Sequence, residues 1–380
     1  MERGCLHFLI YAALISIGLA RYAEDEDSTR HMFRLWCQEY KVFYKSHTMM
    51  EEKYAVFHSN IKHINWLNDV HGGDTEFGLN QFADLSPEEF SSKILMPRRP
   101  APVFESTRYI RGMSSNFMDL PDSFDWVDKG RVTPVKDQGD VGTCWAFSTV
   151  ENIEGQWIQE GHPMTNLSVE QVVDCDSMFD HGGNTTNADC GVFGGWPYLA
   201  YQYVMKAGGL ETWEDYGYCC GLGGKPGTCS ICPAAGYNWT LCGQPTWFCN
   251  MTQSCAAKID PKKFVPGLKV VDWRAVDQNE TVIASQLMEI GPLSVAMDAT
   301  MLQFYKKGVF NPVFCSKTAL DHAILLVGFG TEKDLFSSKP YWKVKNSWGT
   351  KWGENGYFRM ARGAGICGIN TQVTTAVLQK

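Results

Sequence analysis

Between residues 30 and 70 apolar side chains recur at spacings of three and four: Phe33, Trp36, Tyr40 and Phe43, then Val56, Phe57, Ile61, Ile64, Trp66 and Leu67. That spacing follows the turn of an α-helix, so the pattern predicts two amphipathic helices. FGLNQFADLSPEEF then alternates briefly like a strand, and Ser86-Pro87-Glu88-Glu89 reads as an N-cap and a Pro-first helix start. From Pro97 to about Asn116 the chain is rich in Pro, Arg and Ser with no clear period. This predicts an exposed linker between two functional units, with Arg98, Arg99, Arg108 and Arg111 as solubilising charge.

Beyond Leu120 the pattern changes twice. Cys144 to Glu160 suits one long helix stopped by Gly161, whereas GPLSVAMDA, HAILLVGFG, PYWKVKNSW and YFRMAR are short β-prone runs bounded by Gly or Pro. A helical half followed by a sheet half is α+β. Between them, about 217–258, lie Cys219, Cys220, Cys229, Cys232, Cys242, Cys249 and Cys255, with Cys190 just outside. This reads as a disulfide-stapled insertion with little core of its own. Cys229 and Cys232 form one C-x-x-C, but no second pair matches it, so no metal site and no cofactor are expected.

Composition narrows the class. A formal charge of −8, with no Lys/Arg run interleaved with aromatics, gives no field for a polyanion, so nucleic acid is not an expected partner. Residues 1–20 set Arg3 ahead of an apolar stretch and end in Gly18-Leu19-Ala20, which reads as a cleaved signal peptide. No later segment is apolar enough for stable membrane insertion. Fourteen Cys in an exported chain imply disulfides, and the sequons at Asn166, Asn184, Asn238, Asn250 and Asn279 agree with a secretory route, ending in the lysosome or outside the cell.

A thiol attacks a carbonyl as thiolate, so a nucleophilic Cys needs an imidazole nearby and gains from a helix N-terminus. Cys144 opens its predicted helix after the loop Gln138-Gly139-Asp140-Val141-Gly142-Thr143, where backbone N–H groups favour negative charge. His322 starts a β-prone run and Asn346 ends the next, so adjacent strands bring the two side by side. The Asn oxygen can then hold one ring nitrogen while the other faces sulfur, with Trp348 shielding the bond.

At these residues the chain resembles a known family. VKDQGDVGTCWAFSTVENIEG, LSVEQVVDCD, GGWPY, LDHAILLVGFG and YWKVKNSWGTKWGENGYFRM are similar to the peptidase domain of papains and cathepsins over residues 119–380. Lys53, Val56, Phe57, Asn60, Ile64 and Asn68, then Gly78, Asn80, Phe82 and Asp84, resemble the inhibitory propeptide of the cathepsin L and F groups. The resemblance implies a papain-like two-domain fold, a helical left domain and an antiparallel β-barrel-like right domain, preceded by a helical propeptide and linker over 21–118. It implies Gln138 as oxyanion donor, Cys144 as nucleophile, His322 as general acid/base and Asn346 as its orienter. Gly194 and Gly195 would hold the substrate backbone, while Trp196, Pro197, Ala296, Ala323 and Gln372 would line a pocket for an apolar residue before the scissile one. Expected partners are peptide and protein substrates, the propeptide as inhibitor, and cystatin-like inhibitors.

The sequence departs from the family pattern in three ways. Val141 and Thr143 replace the first Cys and the Ser/Ala of C-G-[SA]-C-[WY], so one family disulfide is absent and Cys190 must pair elsewhere or stay free. His322 and Asn346 lie 178 and 202 residues after Cys144, a surplus that the Cys-rich insertion, expected near the cleft rim, accounts for. The insertion holds no His pair, which disfavours carboxydipeptidase activity. Cys315 and Cys367 resemble the family's bridge across the sheet half, and Cys175 is expected to reach a Cys of the insertion, Cys229 being the candidate. A non-catalytic binding protein on the same fold would lack one of the four catalytic positions. An acyltransferase would lack the Asn orienter and the propeptide.

Overall fold

The computed structural model describes residues 21–110, 120–180, 187–218, 237–242, 259–333 and 337–380. The expected signal peptide, Asn184, Asn250 and most of the Cys-rich insertion lie outside them.

The two amphipathic helices form where the periodicity puts them, as α1 (Glu26–Tyr40) and α2 (His47–His71). Asp25 and Ser46 cap their first turns by accepting from the backbone N–H of Ser28 and Met49. Their apolar stripes meet in an aromatic core of Phe33, Trp36, Tyr54 and Phe57. Ser86 and Glu89 close a full capping box on α3 (Pro87–Lys93). The strand-like reading of FGLNQFADL holds only at its first residue. Phe77 ends β1 (Thr75–Phe77), and the chain then turns through Ala83 N to Asn80 O and Leu85 N to Phe82 O, 3.1 Å each.

The helical half is organised on α4 (Cys144–Gln159), buried at every position from Cys144 to Gly155. Its buried polar side chains are bonded in the interior: Ser148 Oγ donates to Ile324 O at 2.7 Å and Asn152 Nδ2 to Pro292 O at 2.8 Å. α5 (Val169–Cys175) and α6 (Pro197–Ala207) pack on one flank; on the other stands a sheet of β3 (Phe124–Asp125), β4 (Val270–Ala275), β5 (Leu293–Met297), β6 (Tyr305–Phe310), β8 (His322–Lys333), β9 (Ser338–Lys345), β10 (Tyr357–Ala361) and β11 (Val373–Leu378). Its strand order is β1-β6-β10-β9-β8-β5-β11-β4, with β3 on β8. The pairing is antiparallel except between β10 and β6. In the β5–β8 register Ala296 faces Ala323 and Met297 faces His322. The amino-terminal region joins the same sheet through β1 on β6.

The exposed linker is a correction. Up to Ile110 this segment is a strap seated on the rest of the protein. Arg99–Pro100 forms β2 against β7 (Ala319–Leu320), and Ala101 N donates to Thr318 O at 3.0 Å. Phe104 packs edge-on to Tyr198 and Trp273, with ring centroids 5.2 and 5.1 Å away. Arg108 pairs with Asp272 at 2.8 Å and stacks over Trp273, and Ile110 N donates to Ala275 O at 2.7 Å. Prolines forbid helix but tolerate an extended edge strand, which shows no 3.6-residue period to read.

Two disulfides join described cysteines. Cys315–Cys367 is the expected one, and Cys190 pairs with Cys242 of the insertion. Cys175 is also disulfide-bonded. Its candidate partner, Cys229, lies outside the described residues.

Gly308 shows how closely β1 sits. At its φ of +98° a Cβ would lie 2.3 Å from Asp74 O. Gly308→Ala is expected to destabilise the docked amino-terminal region by about 1–3 kcal/mol. Hydrogen exchange should show lower protection at Thr75–Phe77 with little change in α4, and unchanged protection would contradict this docking.

Candidate active site

Cys144 is the first residue of α4, and the loop before it is shaped by close backbone contacts. Gly142 N donates to Val192 O at 2.9 Å, and a Cβ there would meet Leu95 O and Val192 O at 3.1 Å each. Thr143 supplies no side-chain cap; its hydroxyl instead pairs with Tyr218 OH at 2.7 Å, and Tyr218 OH donates to Gln138 O at 2.8 Å. Ala323 N lies 3.5 Å from Cys144 Sγ. The N–H groups of Cys144 and Trp145 also favour its thiolate.

His322 begins β8 and Asn346 follows β9, so the strand pairing sets them side by side. Asn346 Oδ1 accepts from Ser347 N, which makes it the acceptor towards His322 Nε2, 2.8 Å from each. Nδ1 is left as the basic nitrogen, and among the described residues it carries no hydrogen bond. The Trp348 ring stacks on the imidazole with centroids 4.7 Å apart. Gln138 is held by Ser347 Oγ, which donates to its Oε1 at 2.7 Å, so Nε2 points into the cleft.

The amino-terminal region covers all of this. Gln138 Nε2 donates to Ile94 O at 2.9 Å, Met96 N donates to Asp321 O at 2.8 Å, and Gly195 N lies 3.4 Å from Met96 Sδ. A Cβ on Gly194 would lie 3.0 Å from Met96 Cβ, so this glycine leaves room for the chain in the cleft. Phe82 and Phe90 stand edge-on against Trp348. Arg98 reaches Asp298 at 2.6 Å and Asp321 at 3.4 Å.

Covering the cleft reverses the expected electrostatics of the thiol. The helix terminus favours thiolate, but burial pushes Cys144 up to about 12 and holds His322 down at about 4. Desolvation penalises the charged form of both groups. In the closed protein the pair is therefore neutral thiol and neutral imidazole.

The pocket residues surround Met96 and the sheet behind it. Trp196 N donates to Asp189 Oδ1 at 2.6 Å, and Pro197 is the first residue of α6. Ala296 and Ala323 lie opposite each other, and Gln372 O accepts from Ala296 N at 3.2 Å. The Gln372 side chain is fully buried, with neither polar atom hydrogen-bonded among the described residues. Of the described sequons Asn166 and Asn279 are exposed, the latter capping α7 (Glu280–Ile290), and Asn238 is half-buried.

Three features escaped the sequence reading. Ile94-Leu95-Met96 plugs the cleft, and three apolar residues in a row before Pro97 were the signal for it. Tyr218 braces the Gln138 loop, with no local pattern to mark it. Lastly, Glu151 and Glu154, buried on α4, pair with Lys345 and Lys136 at 2.7 Å each, and Lys136 lies 3.7 Å from Glu151. Thr133 Oγ1 donates to Glu154, and Leu167 N donates to its Oε1 at 2.7 Å. Two acids one turn apart among Val150, Ile153 and Trp157 were the legible sign of a buried ionic cluster.

Residues 120–377 match the papain family cysteine protease profile, and residues 33–90 match the cathepsin propeptide inhibitor domain (I29). Cysteine proteinase 1 of Dictyostelium discoideum is 35% identical over 88% of this chain and 88% of its own length. Cathepsin F of Mus musculus is 34% identical over 91% of this chain and 64% of its own length. Among solved structures, digestive procathepsin L 3 of Tenebrio molitor larval midgut superposes with a TM-score of 0.71 at 26% identity, covering 92% of this chain and 99% of that one.

Removing one partner of the buried cluster leaves an uncompensated charge. Glu154→Gln is expected to destabilise the fold by about 3–5 kcal/mol in denaturant unfolding; a loss below about 1 kcal/mol would show the cluster to be energetically idle. The titrating groups of the cleft oppose one another. His322, held near 4 against an ordinary 6.5, stabilises the closed form above pH 6.5, and this contribution is lost as pH falls through 4. Asp321, pushed up to about 7 chiefly by burial, contributes fully below its ordinary 3.8 and loses that contribution as pH rises through 7. In the Cys144→Ala chain, acidification from about pH 6.5 to 4 should therefore open the strap through His322, an effect of at most about 3 kcal/mol. Hydrogen exchange at residues 94–96, corrected for intrinsic rate, should show opening that steepens with Asp321→Asn and vanishes with His322→Gln. Acid opening that persists without the imidazole would refute this assignment.

Proposed function

Because the chain belongs to the papain family of cysteine proteases and carries that family's cathepsin-type inhibitor domain, we propose that this peptidase is an endopeptidase made as a zymogen, with Cys144 as nucleophile, His322 as general acid/base, Asn346 as orienter and Gln138 as oxyanion donor. The observation that carries the reading is the 2.8 Å contact of His322 Nε2 with Asn346 Oδ1, next to a sulfur 3.5 Å from Ala323 N. It leaves Nδ1 as the nitrogen that takes the thiol proton.

When the strap leaves, water enters and the penalty on charge falls. The Sγ proton passes to His322 Nδ1, and Asn346 keeps the imidazolium oriented through Nε2–H. The thiolate attacks the peptide carbonyl carbon, and the oxyanion takes the place now held by Ile94 O, accepting from Gln138 Nε2 and Cys144 N–H. His322 then gives its proton to the leaving amine. Water, deprotonated by the same nitrogen, attacks the thioester and frees the acid and the thiol.

The units of the reading are a signal peptide at 1–20, an inhibitory propeptide and linker at 21–118, and the peptidase at 119–380. The small facing side chains of Ala296 and Ala323, beside Trp196 and Pro197, favour an apolar substrate residue against Gly194–Gly195. Cystatin-like inhibitors and a lysosomal or extracellular destination with N-glycosylation belong to the same reading.

Processed protein should form an adduct with a peptidyl epoxide at Cys144, and Cys144→Ala should abolish both adduct and hydrolysis. Gln138→Ala should lower kcat by about 10²–10³ with little change in KM, as expected for a donor used in the transition state. Labelling of another residue, or hydrolysis that survives Cys144→Ala, would overturn the assignment.

A further inference from the structure

Two acids that no step of the proposed reaction uses lie buried behind Gly194 and Gly195. Asp176 follows α5 and Asp189 precedes Cys190, and each is only 1% exposed. Their Oδ1 atoms are committed to the backbone: Asp176 accepts from Met178 N at 2.8 Å and Asp189 from Trp196 N at 2.6 Å. Asp189 N also donates to Met178 O at 2.8 Å, which draws the two turns together. The acids pair with each other through their side chains, and neither Oδ2 has a donor partner among the described residues. Two carboxylates offer only acceptors, so the bond between them requires a proton. Burial pushes Asp176 up to about 7 and Asp189 well above its ordinary range, with the Asp176 charge adding to the latter. Slightly above neutrality Asp189 therefore keeps the proton, donating through Oδ2 to Asp176 while its Oδ1 accepts from Trp196. Lys206 of α6 acts on Asp176, and Arg99 of the strap opposes the Asp189 shift, so departure of the strap leaves that proton held more firmly.

The pair holds one side of the loop that carries the substrate-binding glycines. Cys190 is bridged to Cys242, so no disulfide ties residues 189–196 to the chain before Cys144. From the catalytic side, Gly142 N and Trp145 Nε1 donate to Val192 O and Gly191 O at 2.9 and 3.0 Å. From the opposite side stands Asp189: besides holding Trp196 N, its Oδ1 would lie 2.6 Å from a Cβ on Gly195. The acid thus packs directly on the glycine whose N–H faces the Met96 thioether at 3.4 Å in the closed protein. In the proposed reaction that N–H meets substrate backbone. Breaking the acid pair frees Asp189 to leave Trp196 N and Gly195 to shift, which weakens substrate binding without touching sulfur or imidazole.

We propose that Asp189, joined to Asp176 by a shared proton, is a positioning residue for substrate binding: it holds Trp196 N and so sets the Gly195 N–H against the backbone of the bound peptide. The inference rests on the endopeptidase reading and adds to it a residue that acts from behind the cleft.

Two variants test it. Asp189→Asn keeps both bonds, its amide oxygen accepting from Trp196 N and its amide N–H donating to Asp176; Asp189→Leu keeps the size and removes both. Enzyme processed from the full chain is assayed at about pH 7.5, where Asp189 is the donor of the pair. The substrates are an internally quenched peptide that spans Gly195 and an activated ester of a single acylated amino acid, which stops short of it. Asp189→Leu should raise KM for the peptide about tenfold with kcat unchanged and alter ester hydrolysis by about twofold or less, while Asp189→Asn stays within about twofold of the unmutated enzyme on both. Equal losses on the two substrates, an unchanged peptide KM in Asp189→Leu, or an Asn variant as impaired as the Leu variant would each overturn the proposal and leave the peptidase reading standing. Should the unmutated enzyme cleave neither substrate, that reading fails. The positioning role is then decided by binding of the same peptide, fluorescently labelled, to pepsin-processed protein with Cys144 capped as a methyl disulfide: about tenfold weaker binding in Asp189→Leu, restored in Asp189→Asn, supports it and equal Kd values refute it. If Asp189→Leu does not fold, Asp176→Leu carries the same peptide and ester contrast, because it removes the acceptor of the shared proton.

Discussion

The arrangement of Gln138, Cys144 and Asn346 depends on four charges buried together where α4 meets the sheet. Glu151 and Glu154 stand on the helix that starts with Cys144; Lys136 lies two residues before Gln138, and Lys345 directly precedes Asn346. Three separate stretches of chain, each carrying one part of the site, are thus tied to one point. Burial penalises these charges, and holds Lys345 down at about 8. What the cluster supplies is registry, because an ion that moves away from its partner in this interior loses far more than it would in water.

The strap works on the same electrostatic principle in the opposite sense. It places the Ile94 carbonyl on Gln138 Nε2 and the Met96 thioether against Gly195 N, which fills the cleft. Through exclusion of water it also returns sulfur and imidazole to their neutral forms. Obstruction and chemical silencing are two results of one contact surface. The aromatic edges of Phe82 and Phe90 extend it to Trp348, the ring that shields the His322–Asn346 bond.

Most of the fold was legible because its signals are local. The periodicity at Phe33, Trp36, Phe57 and Ile61 marked the first helices, and the runs around Leu293, His322, Tyr341 and Tyr357 marked the sheet. Cys144, His322 and Asn346 were legible because their flanking motifs fix a helix start and two strand ends. The strap was misread because extended chain around Pro97 and Pro100 has no helical period, and its partners Asp298, Thr318 and Ala275 lie far along the sequence. Tyr218 was invisible for the same reason: a hydroxyl that spans two loops leaves no mark on its neighbours. At the thiol, helix-terminus reasoning named the N–H groups that favour thiolate, whereas the cover that opposes them comes from distant chain and leaves no mark beside Cys144.

Among the described residues the Cys-rich segment meets the rest of the protein at Tyr218 against the Gln138 loop, at Tyr237 against Ala188 and at Cys242 against Cys190. The first is held by hydroxyl bonding and the last by a covalent bridge. The brace at the Gln138 loop therefore does not rest on that bridge, and the chain ahead of Cys144 keeps its support whether the sulfurs of Cys190 and Cys242 are joined or reduced.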